Sequence, residues 1–334
     1  MLKRLPLAHL PTPLFHSARL DALLGCEVWI KRDDMTGAAE AGNKIRKLEY
    51  LFADALNPQR SEGPATVVLT CGGAQSNHAR ATALLAARLG LKSTLFLRTP
   101  DPAAPPPSQG NLLLDRLAGA DVRFVTPADY QRRDEVMARA ALELRAAGEV
   151  PYVIPEGGSN GLGAHGYVHA MQEVREQLAA GLAGSVSGFD AVVHACGSGG
   201  TAAGVAVGAR VSRLADTALA IAVCDDRATF EGIIQRIVSE VFALSPALAG
   251  PASFEVLDEY RGPAYAIASP EQREFIVRVA RVSGLIFDPV YSGKALFGLA
   301  HLTHKPRRAL FLHTGGLPGL LAQADELAAA AEHT

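Results

Sequence analysis

Lys44 follows Gly-Asn at the start of EAGNKIRKLEYLFADAL, Glu40 to Leu56, whose apolar residues recur with the period of a helix. At about 100° per residue, Ile45, Leu48, Leu51, Phe52, Ala55 and Leu56 share one arc, and Lys44 falls inside it. Arg46 points the other way. Lys47 lies at the edge of the arc, where its stem can pack and its ammonium reach water. Of the two lysines only Lys44 is therefore expected to face inward. Burying an unpaired ammonium costs several kcal/mol, so such a lysine is paired, neutralised or used covalently. The segment alone leaves open that Lys44 snorkels past the helix end into solvent.

Three further clusters could carry chemistry. HACGSGGTAAG, His194 to Gly204, runs from a strand through a glycine-rich turn into a helix, where backbone N–H groups and the helix N-terminus suit a phosphate. No lysine follows its last glycine, which excludes a Walker loop. Gly197-x-Gly199-x-x-Ala202 satisfies the dinucleotide pattern GxGxxA, whereas the hydroxyls of Ser198 and Thr201 favour a terminal phosphate monoester. A purely structural turn is the third option. TCGGAQSNHARATALLAARLG, Thr70 to Gly90, places Ser76, Asn77 and His78 at a helix start, where they could grip a carboxylate or merely cap. FDPVYSGKALFGL and LFLHTGGLPGL set Tyr291 and Ser292 before a helix and Thr314 at a strand end.

The elements that must position these groups follow from periodicity. ATVVLT (65–70), STLFLR (93–98), DVRFVT (121–126) and YVIP (152–155) predict strands, with helices at about 77–90, 111–119, 130–147 and 161–180. A second set comprises DAVVHAC (190–196), LAIAVC (219–224), helices near 228–241 and 270–283, and ALFLHT (309–314). Such alternation makes parallel sheets flanked by helices, in which ligands gather at the carboxyl ends of the strands. The proline-rich RTPDPAAPPPSQG (98–110) predicts a surface loop, either bordering a cleft or serving as a linker.

Composition narrows the class. The chain has 334 residues, 49% of them hydrophobic, enough for a substantial core in one or two α/β domains. A net charge of -2 gives no reason to expect a nucleic-acid or acidic-membrane partner. Neither a signal peptide nor a membrane span is expected, because prolines and charges interrupt every apolar run. The four cysteines form no CxxC pair, and the nearest histidine pair, His301-x-x-His304, is expected on a solvated helix face, so no metal is expected. A cytoplasmic enzyme fits these features.

Taken in order, IKRDDMTG, GNKIRKLEYL, GGAQSNHAR, GNLLLDRLAGADV, YVIPEGGSNGLGAHGYV, GSGGTAAG, DPVYSGKA and LFLHTGG resemble the fold-type II pyridoxal-phosphate enzymes. The resemblance is to the group containing 1-aminocyclopropane-1-carboxylate (ACC) deaminase and D-cysteine desulfhydrase, nearest the latter. It implies an α/β, two-domain, tryptophan synthase β-like architecture, each domain a twisted, mostly parallel sheet flanked by helices. Residues 1–50 plus 160–334 would form a large cofactor-binding domain and 51–159 a smaller inserted one. It also implies pyridoxal 5'-phosphate as cofactor, a small amino acid as substrate and a homodimer. Lys44 would carry the Schiff base, while Gly197, Ser198, Gly199, Gly200 and Thr201 would hold the phosphate. Asn77 would contact the ring hydroxyl, with Ser76 and His78 beside the substrate carboxylate. Tyr265, in YRGPAYAI, and Tyr291 would be the active-site tyrosines.

A lysine that forms an imine must spend part of its cycle as a neutral amine, which burial and a helix N-terminus favour. The same amine can then serve as general base at the α-carbon. Deaminases of the group carry glutamate at the position of Ser292 and leucine at that of Thr314, and this chain departs from both. A carboxylate would hold the ring nitrogen protonated through a charge-assisted hydrogen bond, and a hydroxyl would not. The weaker electron sink still expels a good β-leaving group. The resemblance therefore implies α,β-elimination of D-cysteine to pyruvate, hydrogen sulfide and ammonia. The alternative is ACC deamination to 2-oxobutanoate and ammonia, and the GxGxxA match keeps a nicotinamide-dependent oxidoreductase as a remote one.

Overall fold

A computed structural model describes residues 2–333. Met1 and Thr334, the outer ends of the expected large domain, lie outside the described residues. The strands are β1 (Leu14–His16), β2 (Glu27–Lys31), β3 (Val67–Gly73), β4 (Lys92–Arg98), β5 (Asp121–Val125), β6 (Pro151–Val153), β7 (Phe189–Cys196), β8 (Ala215–Ala222), β9 (Phe254–Leu257) and β10 (Arg308–Leu312). They form a six-stranded sheet, β1-β2-β10-β7-β8-β9, and a four-stranded sheet, β5-β4-β3-β6. Every pairing is parallel except β1 with β2.

The helices are α1 (Ala18–Leu24), α2 (Asn43–Ala55), α3 (Asn77–Arg88), α4 (Gly110–Leu117), α5 (Pro127–Gln131), α6 (Arg133–Ala146), α7 (Gly161–Ala179), α8 (Gly200–Val211), α9 (Arg227–Leu244), α10 (Pro270–Ser283), α11 (Ser292–His301), α12 (Leu317–Leu321) and α13 (Ala324–His333). The pattern expected as one helix over 130–147 divides at Arg132 into α5 and α6. None of the described helices is long and apolar enough to cross a membrane.

Period-two alternation builds the layers. Val28, Ile30, Val193, Ile221 and Phe311 point to one face of the larger sheet, where they meet Leu20, Phe275 and Leu296 from α1, α10 and α11. Trp29, Val192, Ala218 and Leu310 point to the other, against Tyr167 and Met171 of α7 and Val205 of α8. In the smaller sheet, Val68 packs with Leu48 and Phe52 of α2 and Leu85 of α3, while Leu69 and Phe96 pack with Met137 and Ala140 of α6. A domain boundary at residue 50 falls inside α2, whose apolar arc belongs to this second core.

The proline-rich run crosses the surface, and its end is tied down where Gln75 Nε2 donates to the Gln109 carbonyl at 3.0 Å. Glycine loops and helix starts follow the carboxyl ends of β3, β7 and β10, which bring three chemistry-bearing segments to one cleft.

Candidate active site

A cleft of about 680 Å³, its open mouth included, is lined by Lys44, Ser76, Asn77, His78, Gly197, Ser198, Gly199, Thr201, Tyr265, Tyr291 and Thr314. Gly200 and Ser292 are not among the lining residues.

The start of α2 is clamped before it presents Lys44. Gly42 has φ +123°, a conformation that disfavours any side chain, and its N–H donates to Thr36 Oγ1 at 2.8 Å. The Asn43 N–H donates to the Thr314 carbonyl at 3.1 Å, which ties the helix start to the exit of β10. From Gly42 to Phe52 every residue is buried except Lys44, which opens onto the cleft. Its Nζ has no hydrogen-bond or ion-pair partner among the described residues. Burial lowers the Lys44 ammonium to about pKa 8, with Glu156 partly opposing the shift. A neutral nucleophilic amine is thus accessible near physiological pH.

The glycine turn supplies an anion cradle. Gly199 takes φ +76° and starts α8, so the N–H groups of Gly200, Thr201 and Ala202 lie in its first turn. Ser198 Oγ and Ser159 Oγ are 2.8 Å apart, and Thr201 Oγ1 accepts from Asn43 Nδ2 at 3.1 Å.

Behind the turn lies Lys47, which corrects the expectation that its ammonium reaches water. It is 1% exposed, and its Nζ donates to the Gly157 carbonyl at 3.1 Å and to Ser159 Oγ at 3.2 Å. A Cβ at Gly200 would sit 2.8 Å from that Nζ, so the ammonium abuts the cradle. No carboxylate pairs with it among the described residues. Burial first and Lys44 second hold it well below the usual lysine range. The Gly200 N–H is engaged by the Ser198 carbonyl at 3.0 Å, which leaves the Thr201 and Ala202 N–H groups, the Ser198 hydroxyl and the buried Lys47 amine to suit a phosphate, while a lysine whose ammonium is lowered to about 8 suits an aldehyde.

Opposite lie the residues of α3. Ser76 Oγ accepts from the Ala79 N–H at 3.2 Å, so it caps the helix and keeps its own proton free to donate. Asn77 Oδ1 accepts from Asn111 Nδ2 at 3.0 Å. His78 is buried, with Nε2 2.8 Å from Thr70 Oγ1. Burial, with Lys44 and Lys47, pushes it well below pKa 6.5, so its ring is neutral and brings no positive charge to a carboxylate. Tyr265 and Tyr291 face each other with hydroxyls 2.6 Å apart. Burial raises Tyr265 to about 12 and Tyr291 well above 10, keeping both protonated.

Thr314 and Ser292 occupy different depths. Thr314 lines the cleft, whereas Ser292 is fully buried and donates to Asp288 Oδ1 at 2.5 Å. Asp288 also accepts from the N–H groups of Val290, Tyr291 and Ser292. The turn before α11 is therefore built around this carboxylate. Asn43, Lys47 and Glu156 join the site without having been singled out from the sequence. For Lys47 the i,i+3 spacing from Lys44 was the available signal.

The sequence profile of the family described as pyridoxal-phosphate dependent enzyme matches residues 5–315. The chain is 43% identical over 335 residues to a bifunctional D-cysteine desulfhydrase/1-aminocyclopropane-1-carboxylate deaminase, mitochondrial, of Arabidopsis thaliana, covering 96% of this chain and 80% of that protein. It is 39% identical over 331 residues to a D-cysteine desulfhydrase of Salmonella choleraesuis, covering 96% and 95%. Among solved structures, an ACC deaminase homologue superposes with a TM-score of 0.86 at 34% identity, covering 98% of this chain and 96% of that one. These likenesses displace the nicotinamide reading of GxGxxA. The fold is that of the fold-type II enzymes, the cofactor is pyridoxal phosphate, and the chain belongs to the pyridoxal-phosphate dependent enzyme family.

Proposed function

We propose that the protein catalyses α,β-elimination of D-cysteine to pyruvate, hydrogen sulfide and ammonia. The observation that carries this reading is the wall at Thr314: a neutral hydroxyl lines the cleft there, with Ser292 turned to Asp288 behind it. Of the carboxylates, Glu156 alone lines the cleft, and it is engaged by Tyr130 at 2.6 Å and Arg133 at 3.1 Å.

Lys44 would hold the cofactor, and Gly197 to Thr201 with Lys47 would hold its phosphate. Bound pyridoxal phosphate supplies an electron sink conjugated with the substrate α-carbon. Thr314 would offer the ring a neutral hydroxyl in place of a carboxylate, which would leave that sink moderate and suit expulsion of a thiolate. The Ser76 hydroxyl and the first N–H groups of α3 hold the substrate carboxylate, and Asn77 the ring oxygen. Lys44, whose ammonium burial lowers to about 8, would accept the α-proton as its neutral amine. The hydrogen-bonded Tyr265 and Tyr291, both protonated, give a proton to the departing sulfur.

ACC deamination is the second reading, favoured by the bifunctional Arabidopsis relative. Parallel assays separate the two, with pyruvate and sulfide measured from D-cysteine and 2-oxobutanoate from ACC. Faster turnover of D-cysteine is expected, and faster turnover of ACC would overturn the assignment.

A further inference from the structure

The segment GNLLLDRLAGADV has no role in the account so far, yet its first helical turn reaches the site. Asn111, in α4 and fully buried, donates from Nδ2 to the Gln75 carbonyl at 2.9 Å and to Asn77 Oδ1 at 3.0 Å. A backbone carbonyl can only accept, so the nitrogen arm of Asn111 must face it. That same nitrogen requires an acceptor from Asn77, which turns Asn77 Oδ1 toward α4. The NH2 of Asn77 is left as the arm available to the cleft that Asn77 lines.

Neighbouring contacts hold this arrangement. Gln75 Oε1 accepts the Asn111 backbone N–H at 2.9 Å. At Gly110, with φ +55°, a Cβ would lie 2.7 Å from Gln75 Oε1, so only glycine permits the approach. Gly319 of α12 covers the pair, its notional Cβ 3.3 Å from Asn111 Nδ2.

We propose that Asn111 is a positioning residue that holds the Asn77 amide with its NH2 toward the cleft, as a fixed donor to the ring oxygen of bound pyridoxal phosphate. This rests on the placement of Asn77 beside that oxygen in the proposed function. A donor aimed at the oxygen stabilises its ionised form and so eases loss of the proton that the bound chromophore carries. Without Asn111 the terminal amide torsion of Asn77 is soft and either arm can face the oxygen.

The test is a pH titration of the visible absorbance of the holoenzyme, without substrate, for the native protein, Asn111→Leu, Asn77→Ala and the double variant. Because no substrate is present, an error in the D-cysteine assignment leaves the result untouched. Asn111→Leu should move the midpoint upward by roughly one pH unit, tenfold in the proton equilibrium. Asn77→Ala should move it alike, and the double variant no further. A native midpoint in Asn111→Leu with a shifted one in Asn77→Ala overturns the proposal. Native midpoints in both overturn it together with the placement of Asn77. If Asn111→Leu does not fold, Asn111→Ala is read on the same scale with the same expected shift.

Discussion

Helix α2 carries basic side chains into two buried environments that differ in one respect. Arg46 reaches Asp33 at 2.8 Å and Glu173 at 2.9 Å, and Lys31 joins Glu173 at 2.5 Å. Burial alone would raise the Glu173 carboxyl, but Arg46 and Lys31 outweigh it and hold it at about 2. Burial would likewise lower Arg46, yet Asp33 and Glu173 keep it well above its ordinary value. Two residues before Arg46 and one after it, on other sides of the same turn, Lys44 and Lys47 have no carboxylate partner among the described residues, and burial lowers both. Compensated charge marks the part of α2 that fixes the fold, while the uncompensated lysines mark the part that, under the proposed function, would meet the cofactor.

Removing charge should therefore have opposite consequences in the two places. Arg46→Leu leaves Asp33 and Glu173 buried without their cation, and should cost about 3–5 kcal/mol of stability. A urea unfolding midpoint close to that of the native protein would break the contrast. Lys47→Met removes a buried amine that no carboxylate pairs with among the described residues and that burial holds well below the usual lysine range, so the apoprotein should unfold at equal or higher urea. Cofactor affinity should meanwhile fall by a factor on the order of 10 to 100, as expected when a charge-assisted contact worth ~1.5–3 kcal/mol is lost. Equilibrium dialysis of the cofactor reads this directly, and unchanged affinity would remove Lys47 from the phosphate site.

A smaller effect concerns pH. The Lys44 ammonium lies at about 8 instead of the ordinary 10.5, so the neutral amine is a minority below pH 8 and dominant above it. Cofactor capture by the apoprotein should rise about tenfold per unit up to pH 8 and then level off. A rate still rising steeply to pH 10 would mean an ordinary lysine. The same depression has a linked sign in stability. Between about 8 and 10.5 the unfolded chain binds more protons at this residue, so its contribution favours folding as pH rises.

Much of the scaffold was legible because long elements carry strong periods. The strands at 93–98 and 190–196 and the helices near 77–90 and 161–180 appear within a few residues of expectation. β1, β2 and β9, of three, five and four residues, were missed. Residue types and order singled out the glycine turn and the start of α3, and the family resemblance singled out the two tyrosines; all of them line one cleft. Burial of Lys47 was not legible, because its cover is the Gly157–Ser159 turn, 110 residues along the chain. Glu156 and Asn111 were hidden for the same reason, Glu156 being held beside the cleft by Tyr130 and Arg133, and Asn111 against Gln75 and Asn77, all remote in sequence. The differing depths of Ser292 and Thr314 needed the turn around Asp288, which no spacing rule describes.

The division between Lys44 and Lys47 is the claim on which the rest depends, and borohydride reduction of the holoenzyme tests it. Reduction fixes the cofactor to whichever amine holds it, and peptide mass mapping then locates the added phosphopyridoxyl group. The account predicts that group on Lys44 alone, with Lys47 unmodified. A phosphopyridoxyl group on Lys47, or none on Lys44, would contradict it.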